Sequence, residues 1–134
     1  MMKRRVFCYL CAALGVAAGT ITAAEAQSAG LTRTTVSTAE GPSAGYHTVM
    51  MRVEIAPNFL VARHTHPGIE SSYIMEGGGT LSVKGGEDRQ LKPGDAFQIP
   101  PETPHSLRNG PGATVVLANY IVEKDKPLAS PAPE

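Results

Sequence analysis

The sequence predicts an all-β sandwich or barrel, and three observations predict it. Short runs of β-branched and aromatic residues recur along the chain, each ended by glycine or proline. Their spacing gives about eight strands with turn signals between them, the pattern of a closed or two-layered β fold. No window of helical length escapes glycine, proline or β-branched residues, so no amphipathic helix competes with that reading.

Taken in order, residues 1–26 read as a secretory signal peptide. Lys3, Arg4 and Arg5 form the positive start, Val6 to Ala24 is uncharged and moderately apolar, and Ala24-Glu25-Ala26 is a small-x-small cleavage pattern. Gln27 is then the expected mature N-terminus and the expected location is exported, periplasmic or secreted. The competing reading is an uncleaved anchor, and the glycine- and threonine-diluted composition argues against it. Arg4-Arg5-Val6-Phe7 also resembles a twin-arginine export signal, although Lys3 stands where Ser or Thr is usual. Both that route and ordinary secretion accommodate the segment. Cys8 and Cys11 fall inside it, so the mature chain has no cysteine to form a disulfide.

Of twelve basic and twelve acidic residues, loss of Lys3, Arg4, Arg5 and Glu25 leaves nine and eleven, a net charge of −2. Nucleic acid and anionic membrane both require a concentrated basic face, so neither is an expected partner of the mature chain.

Residues 27–44 are small and polar and read as a flexible segment or one edge strand around Thr34–Ser37. The barrel proper is expected over 45–123. Tyr46 to Ile55 is a strand closed by Pro57-Asn58, and Leu60 to His66 is the next. Ser71 to Glu76 runs into Gly77-Gly78-Gly79, and Thr80 to Lys84 into Gly85-Gly86, a two-residue hairpin signal. Arg89 to Leu91 and Ala96 to Ile99 flank the Pro93-Gly94-Asp95 turn. His105 to Arg108, the Gly110-Pro111-Gly112 break and Ala113 to Val122 complete the set. Residues 124–134, rich in Pro and Ala, read as a disordered tail.

The chemistry concentrates in two segments. In Arg63-His64-Thr65-His66-Pro67-Gly68-Ile69-Glu70, strand alternation sends His64 and His66 to one face. Pro67-Gly68 turns the chain, and Glu70 can return to that side as a carboxylate ligand. The second segment, residues 94–109, delivers His105 after a proline-rich corner at Pro100 to Pro104. Three imidazoles and one carboxylate suit one divalent transition metal ion, Fe, Mn, Ni, Cu or Zn, and leave a position open for a small-molecule substrate or ligand. One isolated histidine is usually structural or superficial; three of the chain's four falling on one spaced pattern argue for metal.

Those segments resemble the two motifs of the cupin superfamily, in particular small single-domain, quercetin-dioxygenase-like cupins. In the first motif the chain has Asn58 where the family has glycine, then His64, His66, Glu70 and Gly77 at the family's intervals. In the second it has Gly94, Pro100, Glu102 where the family has glycine, His105 and Asn109. The resemblance implies a double-stranded β-helix (jelly-roll) barrel, metal held by His64, His66, Glu70 and His105, and a homodimer. It further implies a dioxygenase-like oxidoreductase with Glu70 as ligand or catalytic base. Alternatives are a sugar or hydroxy-acid isomerase or lyase, and a non-catalytic metal- or ligand-binding protein. Asn tolerates the left-handed backbone a glycine site demands; Glu102 fits less comfortably, and its side chain is expected in solvent.

Other residues carry weaker signals. His47 reads as an ordinary strand residue, and Met50-Met51 as core packing. Gly77-Gly78-Gly79 reads as a strand corner, since no Lys-Ser/Thr or helix follows. Tyr73, Phe97, Gln98 and Tyr120 are candidates to line the cavity. Arg52 and Arg63 could meet an anionic substrate, although exposed strand arginines are commoner. Ser71, Ser72 and Ser106 lack the partners of a serine hydrolase.

Overall fold

A computed structural model describes residues 28–133. The signal-peptide reading, the twin-arginine resemblance and both cysteines lie outside the described residues. In chain order the strands are β1 (Leu31–Glu40), β2 (Tyr46–Ile55), β3 (Leu60–Thr65), β4 (Gly68–Glu76), β5 (Gly79–Val83), β6 (Arg89–Leu91), β7 (Ala96–Ile99), β8 (His105–Asn109), β9 (Thr114–Glu123) and β10 (Ser130–Pro131). They form two five-stranded antiparallel sheets, ordered β1-β2-β9-β4-β7 and β10-β3-β8-β5-β6. The all-β double-stranded β-helix is therefore the observed fold.

Period-two alternation decides what each strand buries. In β4, Glu70, Ser72 and Ile74 face inward while Ile69, Tyr73 and Met75 are exposed. Facing sheets contribute Ile74, Ile99 and Val122 from one side and Leu81 and Leu107 from the other to a single core. Each such side chain, fully buried, stabilises the fold by roughly 1.5–3 kcal/mol. At the base of the core, Asn109 Nδ2 donates to the carbonyls of Ile55, Ala56 and Gly112, and its Oδ1 accepts from Thr114 Oγ1 at 2.6 Å. The motif asparagine thus ties three loops together.

Both departures from the expected glycines sit in left-handed backbone, Asn58 at φ 58° and Glu102 at φ 53°. The chain keeps the turn and changes only the residue. Gly77, at φ 74°, has a second constraint: a Cβ there would lie 2.3 Å from the Ala113 carbonyl oxygen.

Four local expectations are corrected. The edge strand in 27–44 is ten residues long rather than four, because the ladder offered by β2 depends on backbone hydrogen bonds and does not require apolar side chains. The strand after His66 starts at Gly68 instead of following a Pro67-Gly68 turn; Gly68 packs so closely on β9 that a Cβ would stand 1.9 Å from the Ile121 carbonyl oxygen. The β5–β6 connection runs over residues 84–88 and is braced by a 2.6 Å hydrogen bond from Ser82 Oγ to Asp88, so it is longer than a two-residue hairpin. The expected disorder of 124–134 does not hold for its described part. Leu128 packs on the core, Ser130 and Pro131 pair with Thr65 and His64, and the Ala132 N–H donates to the Arg63 carbonyl at 3.0 Å. A proline-rich composition weakens a tail's own structure, but the unpaired edge of β3 supplies a template.

Candidate metal centre

His64 and His105 are cross-strand partners on β3 and β8. Val61 and Leu107 are the next inward-facing pair, and between the two pairs β3 uses one residue more than β8. This β-bulge resets the alternation, so that Val61 and His64, three residues apart, both turn inward. His66 follows just past the end of β3. Its carbonyl accepts from the Glu102 N–H at 2.9 Å, so the left-handed turn at Glu102 braces the corner that delivers His105. The Glu102 side chain is exposed, as expected. Glu70 is the third residue of β4, opposite Tyr120 and Ile99. His66, Glu70 and His105 are all buried, and His64 is half-buried.

The ligand atoms of His64, His66, Glu70 and His105 all lie within 4.8 Å of one another. Each histidine is oriented from behind. Nδ1 lies 2.7 Å from the Ala62 carbonyl in His64, 2.6 Å from that of Leu128 in His66, and 2.8 Å from that of Thr103 in His105. A carbonyl can only accept, so Nδ1 carries the proton in all three rings and each Nε2 holds a lone pair, the tautomer metal binding requires. Ser72 Oγ donates to Glu70 Oε1 at 2.6 Å and fixes the carboxylate.

Glu70 Oε2 stands 3.1 Å from His66 Nε2 and 3.2 Å from His105 Nε2, yet neither buried Nε2 makes a hydrogen bond. Lone pairs facing a carboxylate at this range, away from water, are an unfavourable arrangement that a cation relieves. The donor set therefore fits a divalent metal ion. Burial pushes the His64 pKa down to about 4, with the neighbouring His105 adding to it. For Glu70 burial pushes the pKa up, whereas an imidazole of His105 or His66 that turns a proton toward the carboxylate, together with the Ser72 hydroxyl, pushes it down and prevails.

All four expected ligands thus converge. His47 stays apart in β2, opposite Glu40 and Val122. Of the cavity candidates, the Tyr120 ring lies 4.9 Å from that of His66, and Phe97 belongs to the core. Tyr73 and Gln98 are exposed. Met51 packs on the core and Met50 is half-buried. Sequence reasoning missed Ser72 and Leu128. Ser72 was legible in principle, two residues beyond Glu70 on the same strand face; nothing in the sequence ties Leu128 to His66.

The fold and this cluster define a β-barrel protein with a candidate divalent metal site. The family model for the cupin domain matches residues 51–120, and the chain belongs to the cupin family. Solved structures agree at the level of the fold. The DMSP lyase DddQ from Ruegeria pomeroyi DSS-3 is 20% identical with a TM-score of 0.66, over 77% of this chain and 52% of that one. KdgF from Halomonas sp. is 22% identical with a TM-score of 0.62, over 73% and 85%. A cupin-like protein from Thermotoga maritima MSB8 is 22% identical with a TM-score of 0.61, over 76% and 75%. The chain thus spans about half the length of the DMSP lyase it matches. No curated protein sequence matches it.

Proposed function

We propose that this protein is an exported cupin enzyme that uses one divalent transition metal ion, held by His64, His66, Glu70 and His105, for dioxygenase-like oxidation of a small molecule. The observation that carries the reading is the convergence of three Nε2 lone pairs and one carboxylate in a buried site. Bound there, a redox-active ion supplies Lewis-acid polarisation and electron transfer to oxygen. His66 and His105, buried, form the closed side of the cluster. His64 is half-buried and lines a cleft of about 380 Å³, which provides the approach for a small molecule. Glu70, its carboxylate fixed by the Ser72 hydroxyl and grouped with the three imidazoles, acts as a ligand. Export after Ala26 and a homodimeric state belong to the same proposal.

The likeness to a DMSP lyase supports a second reading, isomerase or lyase chemistry that needs Lewis acidity alone. Elemental analysis of the protein purified from its exported fraction, beside a His64→Ala, His105→Ala variant, tests both. One equivalent of iron, manganese, nickel or copper, lost in the variant, together with activity that disappears without oxygen, supports the oxidoreductase. Zinc alone shifts the assignment to the second reading. Absence of metal from both proteins overturns the metal-dependent proposal.

A further inference from the structure

The outer face of the β1-β2-β9-β4-β7 sheet carries apolar side chains that the barrel does not bury. Ile69, Tyr73 and Met75 of β4 are 42%, 48% and 47% exposed, three of the five large exposed hydrophobics among the described residues. The strand register extends this face onto β9, where Ile121 lies opposite Ile69 and Leu117 opposite Tyr73. Their neighbours Val116, Ala118, Tyr120 and Val122 belong to the core, so alternation sends Leu117 and Ile121 outward. Between these two apolar rows lies a polar one: Ser71 is opposite Asn119, and Gln98 Nε2 donates to Ser71 Oγ at 3.3 Å. Charged side chains stay at the rim and are paired within the chain, Arg52 with Glu54, Lys92 with Asp95 and Lys126 with Glu123.

Size and shape both fit a second copy of this chain. Strands spaced about 4.8 Å apart and rising about 3.3 Å per residue give a five-stranded face of roughly 24 by 30 Å, on the order of 700 Å². A stable pair of copies buries about 800 Å² from each. At the Ile69 end the face opens into a cleft of about 230 Å³ walled by Tyr46, Ile69, Ile121, Pro42 and Pro101. Tyr73 stands four residues further along the same strand, about 13 Å away. An apolar cleft and a projecting aromatic ring at the two ends of one face are what a self-complementary surface requires.

We infer that this face joins two copies of the chain about a two-fold axis over Ser71 and Asn119, Tyr73 of each copy filling the Tyr46–Ile69–Ile121 cleft of the other. The Ile69–Ile121 row of each copy then lies on the Tyr73–Leu117 row of the other, and the polar row lies on itself. The inference gives a surface to the homodimeric state proposed above and rests on that part of the reading, but not on the metal. His64 belongs to the opposite sheet, so the approach to the metal centre stays open.

The test is sedimentation analysis of the purified protein over a range of concentrations, with metal content measured in parallel. A dimer should persist well below roughly 100 μM, since interfaces of this size hold at micromolar concentration or tighter. Ile69→Lys and Tyr73→Glu should each weaken association by about 30-fold or more, the loss expected at a central aromatic anchor, with an unchanged β-sheet circular dichroism spectrum. Leu60→Lys, an exposed position on the opposite sheet, should leave the dimer intact. Mixing Ile69→Lys with Tyr73→Glu should restore dimers, because the two introduced charges then face each other at one contact and the native pair re-forms at the other. A misfolded variant could not recover in this way. A monomer at roughly 100 μM, a dimer that both variants leave intact, or no association on mixing overturns the inference. Normal metal content in a monomer rejects this inference alone; a dimer without metal rejects the metal-dependent function alone.

Discussion

The carbonyl of Leu128 lies 2.6 Å from Nδ1 of His66, joining residues 62 positions apart in the chain. A segment whose composition suggests disorder therefore orients a candidate metal ligand. Truncation after Pro127 removes this acceptor together with the β10–β3 pairing. We expect metal affinity to fall by about 10- to 100-fold, the usual cost of losing a ligand's hydrogen-bond partner. Leu128→Ala keeps the carbonyl and should leave affinity within a few-fold while lowering stability by about 1–2 kcal/mol. Competition against a chromophoric chelator measures both; equal affinity for truncated and full-length protein would show that the tail does not position His66.

Ser72 should behave as a support for Glu70. Its hydroxyl is the donor on Oε1, so Ser72→Ala frees the carboxylate to rotate without removing a ligand. Metal affinity should drop by about tenfold, against abolition of binding in Glu70→Ala. If the two variants bind alike, Ser72 contributes more than orientation.

The pH dependence of the metal-free protein follows from His64. Its folded pKa of about 4 lies below the ordinary value of 6.5, so the unfolded chain takes up the proton first as pH falls. Stability therefore declines from about pH 7 to pH 4, and this contribution levels off below pH 4. Glu70 has the opposite sense: held low, it contributes stability above the ordinary 4.5 and loses it only in stronger acid. Urea midpoints between pH 7.5 and 4 should show the decline, and His64→Gln should flatten it. A flat wild-type profile over that range would contradict the assignment of a depressed His64.

Glu102 adopts a left-handed backbone at φ 53° with its side chain in solvent. Replacement by glycine relieves the strain and should raise stability by about 0.5–1 kcal/mol. Its N–H, the donor to the His66 carbonyl, is retained, so metal affinity should not change. A thermal melt and one metal titration suffice; lower affinity would give the carboxylate of Glu102 a role at the site.

The amino-acid sequence by itself determined the features that depend on near neighbours. Alternation put His64 and His66 on one face, and the turns at Asn58, Gly77 and Glu102 were marked by their place in the motifs. Alternation also fixed which residues of a strand share a face, although which face turns inward was settled by the sheets, as the buried Phe97 and exposed Gln98 show. These are local because side-chain direction and φ are set within a few residues. Tertiary structure decided the rest. The bulge that lets Val61 and His64 both turn inward exists only because β3 and β8 pair with unequal numbers of residues. The acceptor behind His66 comes from a tail that orders on the edge of β3, and the full length of β1 comes from its pairing with β2, which polar composition did not reveal. Strand register and edge pairing depend on backbone groups that are chemically alike at every residue, so the side chains of one segment do not specify them until its partner is in place.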